Sequence, residues 1–198
     1  MNLKIILKVL GLLLLVEGTA MLITLIVALV HAENDVPAFL ISSGINLGVG
    51  GVFVALGHNA KRKIGKREGF IIVTLVWVVF SLFGCFPYML SNAIPSFTDA
   101  FFETMSGFST TGSSVLNHIE ALPHGILFWR SITQWLGGMG IIVLSLAILP
   151  VFGIGGMQLF AAEVPGPVPD KVSPRIAQTA KTLWAIYLLF TFVETMLL

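Results

Sequence analysis

The stretch Gly107-Phe108-Ser109-Thr110-Thr111-Gly112-Ser113-Ser114, GFSTTGSS, interrupts a chain that is otherwise strongly apolar. Its five hydroxyl side chains and two glycines make it far too polar for a membrane-spanning helix, yet it falls between two long apolar segments, residues 70–91 and 126–150. Whether the chain around this run crosses the membrane or turns back decides the fold.

The surroundings are those of a membrane protein. Of 198 residues, 56% are hydrophobic and 11% charged, and the mean hydropathy is +0.96, well outside the balance of a soluble domain. A net charge of +1 offers nothing to a nucleic acid. Cys85 is the only cysteine, which excludes an intrachain disulfide and a cysteine-rich metal site; it reads as a small apolar residue within a helix. A ruler of about 20 residues finds spans near 7–30, 37–57, 70–91 and 126–150, and a fifth that starts near 180 and meets Leu198 without a polar flank. Lys4 and Lys8 ahead of an apolar run resemble a secretion leader. The run from Val9 to Val30, however, exceeds the ~7–15 apolar residues of a leader and matches a first transmembrane helix.

Charge sets the topology. With Lys4 and Lys8 on one side, alternation of the first three spans brings Lys61, Arg62, Lys63, Lys66 and Arg67 to the same side. Lys171, Arg175 and Lys181 join them only if the segment 92–125 does not cross. Ten of the eleven basic residues then share a face, which the positive-inside rule makes the cytoplasm. The opposite loops carry Glu33, Asp35, Glu120, His31, His118 and His124, with Arg130 near the outer end of its helix. The segment holding GFSTTGSS must therefore dip in from outside and return.

The local sequence agrees. Ser96-x-x-Asp99 after Pro95 is a helix-start signal, and the apolar run Ala100 to Phe108 is too short to span. A short helix should end at Gly107 or Phe108 and pass into non-helical chain. At membrane depth such backbone survives only inside protein or beside water, because lipid satisfies no amide. An extended strand over Ser109–Ser113 could aim successive carbonyls at one axis, with Gly112 supplying unusual backbone angles. Carbonyls in that arrangement replace the hydration shell of an alkali cation, and the negative C-terminal end of the short helix favours a cation further. Asp99, Glu103 and Glu120 near the mouth would concentrate cations. Against this stands a plain Ser/Thr/Gly loop. A phosphate-binding loop is disfavoured because Ser113 holds its lysine position. An intramembrane serine hydrolase built on Ser109, with His118 or His124 as base, lacks the second glycine at position 111.

Three stretches carry a more specific signal: DAFFETMSGFSTTGSSVL (Asp99–Leu116), FWRSITQWLGGMGIIVLSLAILPVFGIGGMQLFAAEVPGP (Phe128–Pro167) and SPRIAQTAKTLWAIYLL (Ser173–Leu189). They closely resemble the membrane subunit of bacterial Trk potassium uptake systems, the TrkH/TrkG branch of the Trk/Ktr/HKT superfamily, strongly over residues 70–198. The resemblance implies an all-α membrane protein: an N-terminal transmembrane hairpin (1–60), then a helix–pore loop–helix repeat (69–150) of a pseudo-fourfold cation channel-like fold. A cytoplasmic linker (151–173) and the truncated first helix of a second repeat (174–198) would follow. It implies potassium as the transported ion, with no other cofactor in this chain. Ion sites would fall at the Thr110 and Thr111 carbonyls, in a strand completed by Ser109, Gly112 and Ser113. The implied partners are the remaining filter repeats of a full-length chain, a second copy in a homodimer, a cytosolic nucleotide-binding regulatory subunit and membrane lipid. The implied place is a bacterial inner membrane, with the N-terminus cytoplasmic. Family members are more than twice this length, so the chain reads as a fragment, and a non-conducting scaffold is the competing function.

Other residues invite readings of their own. Gly44, Gly48, Gly50 and Gly51 make a small-residue face suited to close helix packing, and Gly137, Gly138 and Gly140 do the same after the polar run, with a hinge as the alternative. Glu17 and Glu194 fall within spans, where ionisable groups point to function; for Glu17 an interhelical hydrogen bond is the competing reading. Glu103 could brace the polar loop or attract ions, and Arg130 could pair with Glu103 or Glu120, or snorkel. Trp129 and Trp135 suit either an interfacial belt or packing around the short helix, with the belt favoured for Trp129. Pro150, Gly153, Gly155 and Gly156 mark a helix exit, and 165–169 a linker.

Overall fold

The structure, a computed structural model, describes residues 3–59, 66–148 and 172–197, and every regular element among them is helical. The helices are α1 (Leu3–Val30), α2 (Val36–Leu56), α3 (Lys66–Gly84), α4 (Phe86–Leu90), α5 (Phe97–Phe108), α6 (His124–Ile148) and α7 (Val172–Leu197), with a 3₁₀ turn at Ile119–Ala121. The segments Leu3–Val30, Val36–Leu56 and Glu68–Leu90 are long and apolar enough to cross a membrane. The chain divides into two compact units, Met1–Gly137 and Gly138–Leu198. In the second, Gly138 meets the Tyr187 hydroxyl of α7 so closely that a Cβ would lie 2.7 Å from it. Lys61–Lys63, Lys171, Pro150, Gly153, Gly155, Gly156 and the 165–169 stretch lie outside the described residues.

Helices α1 and α2 form the expected hairpin. Apolar side chains on every face hold the helices in lipid without specifying how they pack, so close van der Waals fit must do so. At one point the two backbones touch: a Cβ on Gly11 would lie 2.7 Å from the Gly50 carbonyl oxygen and 2.8 Å from the Val54 nitrogen. Only Gly50 of the expected glycine face serves this contact. Gly44, Gly48 and Gly51 have nothing within 4 Å, because their i, i+4, i+7 spacing puts them on the opposite side of α2. Further along, Leu14, Met21, Phe39, Ser42 and Asn46 are buried between the helices, and Asn46 Nδ2 donates to the Ser42 carbonyl at 3.1 Å.

The third span is broken rather than continuous. α3 ends at Gly84, Cys85 intervenes, and Pro87 sits in the first turn of α4, where its missing N–H costs nothing. The break makes room. Gly84 packs so tightly against Glu17, Thr104 and Phe108 that a Cβ would come within 3.0 Å of each. Its carbonyl accepts a hydrogen bond from Trp129 Nε1 at 2.9 Å. Trp129 is fully buried, edge-on to Phe39 and Phe108 with ring centroids 6.5 Å away in each case. The interfacial belt expected for it is therefore corrected: the indole pins α6 to the α3 break. Glu17 is also fully buried, and neither carboxylate oxygen finds a hydrogen-bond partner among the described residues, so of its two readings the interhelical hydrogen bond has no contact there.

α5 is the short helix the sequence calls for. Ser96 caps it, its Oγ accepting from the Asp99 amide at 3.5 Å. Its 12 residues cover about 18 Å, well short of the ~30 Å hydrocarbon core. Ala100, Glu103, Thr104, Ser106 and Phe108 form its buried face. The Phe108 ring packs on Phe80, 5.1 Å between centroids, near the middle of the Glu68–Leu90 span. The Phe108 carbonyl touches Gly137, thirteen residues beyond His124 and so about 20 Å along α6. The end of α5 thus lies level with the middles of both flanking helices, as a segment that dips and returns requires.

Candidate functional site

The polar run follows directly from the way α5 stops. Ser109 caps the helix at φ −76°, ψ −1°, and Thr110 turns left-handed at φ +57°. The Thr110 amide donates to the Gly107 carbonyl at 2.9 Å and the Thr111 amide to the Ser106 carbonyl at 3.0 Å. This is a Schellman cap with threonine where glycine is usual. A β-branched residue at positive φ is a genuine outlier. The extended strand expected over Ser109–Ser113 is therefore corrected at its start: Ser109 and Thr110 are turn, and irregular chain begins at Thr111. Gly112 follows with φ +74°, the angle foreseen for it.

Two anchors hold the run. Ser106 Oγ donates to the Ser113 carbonyl at 2.6 Å, tying the far end of the run back to α5. The second anchor is centred on Glu103, which is 4% exposed. Arg130 Nε on α6 donates to Glu103 Oε1 at 2.8 Å, Ser114 Oγ lies 3.0 Å from both carboxylate oxygens, and the Val115 amide donates to Oε2 at 3.0 Å. One buried carboxylate thereby joins α5, α6 and the chain leaving the run through charge-assisted hydrogen bonds. Of the roles open to Glu103 and Arg130, bracing is the one with contacts. Asp99 and Glu120 are exposed.

The carbonyls are unevenly occupied. Ser113 accepts from Ser106, and Ser109 from the Thr110 hydroxyl at 2.7 Å. Those of Thr110, Thr111 and Gly112 accept no hydrogen bond from any described residue. Thr111, Gly112 and Ser113 are exposed on the unit's surface. Beside the run lies a cavity of about 80 Å³ lined by Tyr88, Glu103, Gly112, Ser113, Thr133 and Gln134 among others. Ser106, Ser114 and Tyr88 escaped the sequence reading. A Ser106-x₆-Ser113 spacing around a helix stop was the only signal that could have suggested the first.

At the other end of the unit the α1–α2 loop meets α6. Glu33 accepts from the His124 amide at 2.6 Å and from His124 Nδ1 at 2.7 Å, while the His31 and His124 rings stack 4.3 Å apart. Partial burial pushes the Glu33 carboxyl up, but these hydrogen bonds and the Gly125 amide outweigh it and hold it below the usual carboxylate range. Asp35, 1% exposed, is pushed up by burial. Among the described residues no group of three metal-ligating side chains occurs.

A hairpin of two helices long enough to span, followed by a third such segment, a short helix, a polar loop and the long helix α6, defines a class: an all-α membrane protein of the pseudo-fourfold cation channel-like fold. The chain belongs to the TrkH family of cation transport proteins, whose family model matches residues 36–198. It is 45% identical over 193 residues to the Trk system potassium uptake proteins TrkH of Halomonas elongata and Escherichia coli K12, covering 96% of this chain and 40% of each of theirs. It is 36% identical over 188 residues to TrkG of Escherichia coli K12, covering 94% and 39%. The crystal structure of the potassium transporter TrkH from Vibrio parahaemolyticus matches with a TM-score of 0.81 at 38% identity, over 98% of this chain and 38% of that one. The chain spans about two fifths of the length of the curated relatives it matches.

Proposed function

We propose that this chain contributes one of four strands to a selectivity filter through which potassium is taken up across a bacterial inner membrane. One observation carries the reading: the Thr110, Thr111 and Gly112 carbonyls have no hydrogen-bond donor among the described residues, in a loop anchored on both sides. Positive φ at Thr110 and Gly112, with Thr111 between them at negative φ, lets successive carbonyls fall on one side of the chain instead of alternating. Potassium is held at the Thr110 and Thr111 carbonyls, Ser109 and Ser113 complete the strand as anchors, and Asp99 and Glu120 draw cations to the mouth. The negative end of α5 faces the same loop. Residues 1–60 act as the hairpin, 69–150 as the first repeat, 151–173 as linker and 174–198 as the opening helix of the second. The other three strands come from further repeats of the full-length chain, which works as a homodimer in lipid with a cytosolic nucleotide-binding regulatory subunit. The N-terminus is cytoplasmic, where ten of the eleven basic residues gather. The hydrolytic reading is the weaker one, because the proteins this chain is similar to are transport proteins.

The test is rubidium flux into liposomes holding the complete protein. Gly112→Ala should strain the left-handed position, and rubidium-over-sodium preference should fall with the fold intact. A folded Gly112→Ala protein with unchanged selectivity overturns the filter reading and leaves the scaffold.

A further inference from the structure

Ser106, one turn before the helix stop, meets the polar run with both its main chain and its side chain. Its carbonyl accepts from the Thr111 amide at 3.0 Å and from the Gly112 amide at 3.4 Å. Its hydroxyl donates to the Ser113 carbonyl at 2.6 Å. One residue of α5 thus bonds to Thr111, Gly112 and Ser113 in succession. It is 6% exposed and sits on the buried face of the helix, so bulk water does not compete for its hydroxyl.

The two groups do different things. The carbonyl bond to Thr111 is the Schellman closure, which any residue at this place in the helix would make. The hydroxyl bond needs a side-chain donor. It reaches seven residues along the chain and closes a ring around Gly107–Gly112, and its 2.6 Å lies at the short end for O–H···O bonds. The Ser113 oxygen is thereby held against α5, whereas the oxygens of Thr110, Thr111 and Gly112 accept from no described donor.

We propose that Ser106 is a positioning residue that sets ion specificity: by holding the Ser113 carbonyl against α5, it ends the row of ion-facing oxygens at Gly112 and fixes how far that row can shift. This rests on the filter reading above and adds where the row stops and what stops it. Discrimination among alkali cations depends on the size of the oxygen cage or on the number and field of its oxygens. Without the hydroxyl, the Ser113 oxygen is released as an extra, mobile ligand, and Gly112 loses the tether on its far side. Both changes loosen the cage.

Two measurements on the complete protein test this. When potassium is replaced by sodium, the carbonyl carbon shifts of Thr110, Thr111 and Gly112 in solid-state NMR should move and that of Ser113 should stay. In Ser106→Ala the Ser113 shift should become ion-dependent as well. A Ser113 shift that follows the ion in the unaltered protein overturns the proposal, even if no variant can be purified. Ser106→Ala should also lower the rubidium-over-sodium flux ratio by about fivefold, the worth of one neutral hydrogen bond, while melting as a folded protein. Ser106→Thr, which keeps the hydroxyl, should recover most of that ratio, and Ser106→Cys, a weaker donor close to serine in size, should recover part of it. Equal loss in all three variants overturns the part given to the hydroxyl. An unchanged ratio in Ser106→Ala, where Gly112→Ala does change it, overturns the role of Ser106 alone. An unchanged ratio in both removes the filter reading beneath it.

Discussion

Thr110 is held where its own chemistry disfavours it. The left-handed region costs a non-glycine residue roughly 1–2 kcal/mol, and strain of this kind persists where surrounding structure enforces it. Here that structure is the Schellman cap below it and the Ser106 and Glu103 anchors beyond. Thr110→Gly should therefore stabilise the protein by about 1 kcal/mol, read as a higher melting temperature, and at the same time weaken ion discrimination, read as rubidium-over-sodium flux. A fall in both would mean the threonine side chain itself holds the turn. At Glu103 the energetics run the other way. Removing Arg130 strands a buried carboxylate, so Arg130→Gln should cost about 3–5 kcal/mol. The double variant Glu103→Gln/Arg130→Gln should recover much of that loss, a non-additivity that a double-mutant cycle in denaturant would read directly.

Between elements, glycines mark the close approaches, and only some of them matter. α6 lies against the end of α5 at Gly137, where the Phe108 carbonyl leaves no space for a methyl group. Gly48, on the open side of α2, meets nothing within 4 Å. Gly137→Ala should accordingly destabilise by about 1–3 kcal/mol through overpacking and displace the loop. Gly48→Ala should stabilise by roughly 0.5–1 kcal/mol through helix propensity alone. Thermal melts of the two variants side by side would check the contrast, and equal effects would mean that the packing described for α5 and α6 is wrong. The helix break at Gly84, Cys85 and Pro87 belongs to this scale too, since a continuous α3 would close the space into which Thr104, Phe108 and Trp129 pack.

At the scale of the whole Met1–Gly137 unit, the hairpin is tied to the repeat at both depths: by Gly84 against Glu17, and by the α1–α2 loop against the start of α6. The loop contact has a definite dependence on pH. Glu33 titrates lower when folded than its unfolded value of about 4.3. Its contribution is therefore fully present above that pH and is lost as pH falls through the folded value. Asp35 has the opposite sign: burial raises it, so its ionisation costs stability as pH climbs past about 3.9. Glu33→Gln should lower stability at pH 7 by about 0.5 kcal/mol, with the gap closing near pH 3. Asp35→Asn should raise stability at pH 7 and do little at pH 3. Melting curves at the two pH values would decide, and a Glu33→Gln gap that widens in acid would contradict the contact.

Much of this was legible from residue order. Spans follow from hydropathy over about 20 residues, the return of the 92–125 segment follows from where lysine and arginine fall, and the limits of α5 follow from Ser96, Asp99 and the glycine-rich stop. These depend on chain-local chemistry and on the membrane as solvent, so no tertiary contact was needed to infer them. Which glycine meets a neighbour, that Trp129 points inward, that Glu103 pairs with Arg130 and accepts from Ser114, and that Tyr88 lies beside a cavity were decided only by the tertiary structure. The reason is rotational phase. A helix apolar on every side suits lipid and protein equally well, so its sequence carries no polar stripe to say which face turns inward; only the fitted neighbours settle that.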